Sequence, residues 1–90
     1  MSNETEDRLE QEVAFANEIK QVTNNKSFQQ AITARKAHIF DVFCRTKPDQ
    51  QEVREEAYRT MVNMNAFEKY FETIATTGKM AQIELDKIND

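Results

Sequence analysis

One glycine, one proline, one cysteine and no tryptophan occur in 90 residues, and each scarcity excludes something. Sheet-based folds turn repeatedly at Gly, Pro, Asn or Asp, whereas between residues 5 and 88 this chain has only two or three places fit to turn. An all-α fold follows. A single cysteine, Cys44, rules out an internal disulfide and a thiolate metal cage. No glycine-rich phosphate loop can be built from one Gly, and Ser2 and Ser27 assemble into no Ser-His-Asp triad. No apolar run approaches the roughly 18 residues of a membrane span. The first dozen residues are polar and acidic rather than basic and then apolar, unlike a secretory signal. The expectation is an intracellular, cytoplasmic chain with no membrane partner.

What is present is 39% hydrophobic and 31% charged residues, a composition of good helix formers. The length suits one domain, and a domain so small buries only about 60% of the surface its unfolded chain exposes, so its core is thin and a partner chain would help it. Net charge is −4, which argues against a general polyanion binder. The charge is unevenly spread. Residues 1–30 carry six acids and three bases, residues 31–47 one acid and four bases, and residues 48–72 six acids and three bases. The basic patch is therefore local.

Residues 1–5 read as a disordered lead-in, and 6–90 as a single helical domain of three helices. The first, about 6–23, has Leu9, Val13, Ala16 and Ile19 at three- and four-residue steps, with Phe15 and Val22 widening the stripe. Asn24 and Asn25 end it. Ser27 with Gln30 three residues on has the form of a capping box and opens the second helix, about 27–45. Its apolar face is Phe28, Ala31, Ile32, Ile39, Val42 and Phe43, and Pro48 stops it. Thr46 and Asp49 around Pro48 signal a third start. This helix, about 49–89, carries Val53, Ala57, Met61, Met64, Phe67, Phe71, Ile74 and Ala75. Thr76, Thr77 and Gly78 offer a break at 77–79. Against a break, Ala57, Thr60, Met64, Phe67, Phe71, Ile74, Gly78, Ala81, Leu85 and Ile88 alternate in three- and four-residue steps across the glycine, in coiled-coil fashion. One long helix, kinked or weakened at Gly78, is the preferred reading.

At 1.5 Å per residue such a helix is about 60 Å long, and the second helix covers less than half of it. Short connections place the second helix along the first part of the third, with the first helix back against the second. The end bearing Met80, Ala81, Leu85 and Ile88 is then left uncovered. This predicts homo-oligomerisation as a dimer or larger ring, with Met64, Phe67, Phe71, Ile74, Ala81, Leu85 and Ile88 at the interface.

His38 and Cys44 are the conventional catalytic candidates, but six positions apart on one helix they point about 120° away from each other. The many carboxylates lack the Glu and His pairing, three apart on a helix, of bundle metal sites. No enzyme activity, cofactor, metal or small-molecule substrate is expected. Arg35 stands within the apolar face of the second helix, where a charge requires a partner. It either reaches Glu68, Glu72 or an acid of a partner chain, or contacts phosphate or an acidic peptide. Arg35, Lys36, Arg45 and Lys47, with His38 and Phe40, form a basic-aromatic cluster. That cluster serves either internal ion pairs or contact with nucleic acid or an acidic partner. Phe40, Tyr58 and Val62 point away from the main stripe, as a second packing face or a docking patch.

The basic helix with Arg35 and Lys36, followed by a long helix with Phe67, Tyr70, Phe71 and the Thr77, Gly78, Lys79 junction, resembles small accessory proteins of tailed bacteriophages, among them small terminase subunits. The resemblance spans residues 28–88 and implies an oligomer that acts on DNA in packaging, inside a host cell. It lacks the helix-turn-helix that such subunits often carry. Two functions follow as expectations. One is a noncatalytic helical interaction or assembly protein that self-associates through its third helix. The other is a nucleic-acid-associated accessory protein using the basic patch of the second helix.

Overall fold

The computed structural model describes residues 3–90, which lie in three helices, the two links between them and the two residues after the last helix. Helix α1 runs Asn3–Thr23, α2 runs Lys26–Cys44, and α3 runs Gln51–Ile88. Part of the expected lead-in is helical, since α1 begins at Asn3, and Met1 and Ser2 lie outside the described residues. Glu4 and Glu6 in the first turn and Lys20 in the last match the helix dipole.

The link between α1 and α2 is two residues long. The backbone N–H of Asn24 donates to the Lys20 carbonyl at 2.9 Å, ending α1. Asn25 then takes an extended conformation, and its side-chain oxygen accepts from the Phe28 N–H at 2.9 Å. The cap of α2 is thus Asn25, and Ser27 lies inside the first turn. Both residue types cap well, and an extended Asn25 three residues before a free N–H occupies the role first. At the far end the Thr46 hydroxyl donates to the Phe43 carbonyl at 2.9 Å. The Lys47 N–H donates to the Gln50 side chain at 2.9 Å, and Arg54 from the first turn of α3 reaches back to the Lys47 carbonyl at 2.9 Å. These bonds replace the expected Thr46 and Asp49 cap and delay α3 to Gln51.

The helix α3 is a single 38-residue segment with no break at Gly78, and no residue among those described has a positive φ. Two compact units are built on it, each an antiparallel helix pair. The first pairs α1 with residues 70–90, and the second comprises residues 25–69. In the first, Leu9, Ala81 and Leu85 form a buried cluster with Val13 packed against it. Ala16 and Ile74 are also buried there. In the second, Ile39 and Ala57 are buried, and Phe28, Ile32, Val42, Phe43, Met61 and Met64 are half-buried.

This pairing corrects the spacing argument for α1. Its buried face meets the second half of α3, so Ala81 and Leu85 are covered within the chain. The cause is a fit of large against small residues that stripe-counting does not register. Leu9 and Val13 lie against Ala81 and Leu85, and Gly78 meets Ala16 so closely that a Cβ on Gly78 would overlap the Ala16 Cβ and come 3.3 Å from the Glu12 carbonyl. Gly78 is therefore a close-approach residue inside a helix.

Candidate interaction surface

The expected interface stripe divides on inspection. Ile74, Ala81 and Leu85 are buried inside the first unit and are not available to a partner. Met64 and Phe71 are half-buried, while Phe67 and Ile88 are exposed, at 53% and 41%. Helix geometry explains Phe67. A strict three-four alternation is a 3.5-residue repeat, but a straight α-helix turns 100° per residue, so ten residues after Ala57 the side chain stands about 80° off the Ala57 direction. Glu68 stands only about 20° off and takes the half-buried place.

A charge in that place needs a counter-charge. Lys36, also half-buried, brings its Nζ to 2.7 Å from the Glu68 Oε1. That oxygen is shielded from water and faces the Lys36 ammonium as an ion pair. Lys36, not Arg35, is thus the base set into the packed face of α2. Arg35 is exposed. The distinction is one residue, or 100° of helix rotation, and neighbouring apolar positions satisfy either reading.

The rest of the basic cluster disperses. Arg45 is bonded to Asp41 one turn earlier, Nε to Oδ1 at 3.0 Å. Arg35 and Lys47 form no ion pair among the described residues. Phe40 is 58% exposed and Tyr58 59%, with Val62 exposed as well. His38 and Cys44 are both exposed. Among the described residues no three His, Cys, Asp or Glu side chains gather as metal ligands would, and no helix is long and apolar enough to cross a membrane.

Among the described residues each unit carries a cleft. In the first, α1 and α3 leave a cleft of about 270 Å³ over Val13, Ala16 and Gly78, with Lys20 and Lys79 at its rim. In the second, α2 and α3 border about 160 Å³ with an apolar floor of Ile39, Val42 and Ala57 and Val53 at the rim. Its sides carry Arg35 and His38 from α2 and Glu56 and Thr60 from α3. Val53 and Thr60 are visible in the sequence as members of the apolar stripe and the heptad register, and Glu56 only as one of many carboxylates; that the three meet in one cleft is not legible from spacing. No family model, curated protein or solved structure matches this chain.

Proposed function

We propose that this chain is a noncatalytic helical interaction protein that homo-oligomerises and serves in assembly. One observation carries the reading. Among the described residues only seven apolar side chains are buried, three of them alanines, while eleven large apolar side chains are at least 41% exposed. Each unit is an antiparallel helix pair of about 45 residues, close to the size below which a domain leans on a metal, disulfides or oligomerisation. Cys44 is the only cysteine, so no internal disulfide supplies that support, and association is the stabilising device of this reading. The contact runs through exposed faces of α3 and the helices beside it, not through Ile74, Ala81 and Leu85.

A second reading, a DNA-associated accessory protein, is favoured by Arg35 and Lys47, which stand without an ion pair among the described residues. Lys36 and Arg45 weaken it, being matched to Glu68 and Asp41. Light scattering coupled to size exclusion tests the first reading. A mass at a multiple of 10.5 kDa supports it, and a monomer at all concentrations rejects it. A DNA titration at two salt concentrations tests the second. A salt-sensitive complex lost on reversing Arg35 and Lys47 establishes it, and indifference to DNA at low salt removes it.

A further inference from the structure

We infer that the α2/α3 cleft of the second unit is the docking surface, and that its occupant is the same face of a second copy of this chain. The inference rests on the self-association reading and names the surface and the symmetry. Three observations support it. The cleft floor is apolar and its volume, about 160 Å³, matches a cavity of about 150 Å³ that accepts a benzene-sized group. It is open on one side, and Val53 on its rim is 42% exposed, offering an apolar side chain to a facing copy.

The third observation is charge. Arg35 lies on the α2 wall and Glu56 on the α3 wall, and no ion pair joins them. A surface with one basic wall and one acidic wall is complementary to itself about a two-fold axis running along the groove, because that rotation sets each wall against its opposite. The aromatic patch of Phe40 and Tyr58 has no such property. On each helix these residues lie 100° from the buried Ile39 and Ala57, in the rotational sense opposite to the groove residues Arg35, His38, Val53 and Glu56.

Charge reversal in trans separates this contact from a pair within one chain. Arg35→Glu gives two acidic walls and Glu56→Arg two basic ones, so each variant alone should raise the dimer dissociation constant roughly tenfold or more while far-ultraviolet circular dichroism stays unchanged. Mixing the two variants in equal amounts should restore wild-type affinity, since every wall again faces its opposite. Single variants that associate like wild type, or a mixture that fails to recover, would overturn the assignment while leaving self-association intact through another face. A wild-type monomer would overturn both. Recovery only when both reversals sit in one chain would identify an internal pair and reject the docking surface.

Discussion

At Gly78 two effects of opposite sign meet. Alanine gains about 1 kcal/mol over glycine inside a helix, but its Cβ would overlap that of Ala16 on α1, and overpacking costs about 1–3 kcal/mol. The contact is backbone-near on both sides and has no flexible end to yield, so the cost wins. Gly78→Ala should lower the melting temperature, and adding Ala16→Gly should recover part of the loss, as followed by circular dichroism; a variant more stable than wild type would show that propensity alone governs the site. The glycine itself is conspicuous in the sequence, and its helical continuation is legible from the register. Its role is not, because a packing partner 62 positions away leaves no local trace. The pair Lys36 and Glu68 has the same character. Both side chains are about two-fifths exposed, so the ion pair contributes little net. Removing only the lysine leaves a shielded carboxylate oxygen uncompensated. Lys36→Met should therefore destabilise by about 1 kcal/mol, and Lys47→Met, at an exposed base without an ion pair among the described residues, by a few tenths at most. Equal effects in urea titrations would place the two bases in equivalent surroundings and contradict the assignment.

Among the elements, three helices, their order and the unbroken α3 are readable from apolar spacing and the scarcity of turn residues, and their ends fall within three residues of expectation. Spacing works here because burial on one face imposes a period of 3.6, whatever the partner is. The partner is what it omits. Leu9, Val13 and Ala16 announce a buried stripe on α1, yet only the small residues at Gly78 and Ala81 decide where it lies. The capping assignments differ for a related reason. Asn25 and Ser27 are both competent caps, and the conformation at Asn25 selects between them. Asn25→Ala should cost about 1 kcal/mol, and Ser27→Ala close to nothing. The reverse order in thermal melts would restore Ser27 as the cap. Arg54 fastens the link between α2 and α3 through the Lys47 carbonyl. Its replacement by alanine should therefore accelerate amide exchange at Thr46 to Gln50 before any change in α1.

For the molecule as a whole, the balance of covered and uncovered apolar side chains sets its behaviour. Under the proposed self-association, two helix pairs in which seven apolar side chains are buried among the described residues gain stability when a second copy covers the α2/α3 cleft. The candidate surface was legible in the sequence as an excess of apolar residues along α3 and as an Arg35 in need of an acid, its own or a partner's. Its location, in the cleft with Arg35 and Glu56, depends on how α2 sits against Ala57 and emerges only from the packing. If folding and association are linked, the midpoint of thermal unfolding depends on protein concentration, by mass action. The decisive measurement is a series of circular-dichroism melts spanning about a hundredfold in concentration. The account predicts a melting temperature that climbs steadily with concentration; a midpoint that stays fixed across the series would mean that the single chain folds without help, and would contradict it.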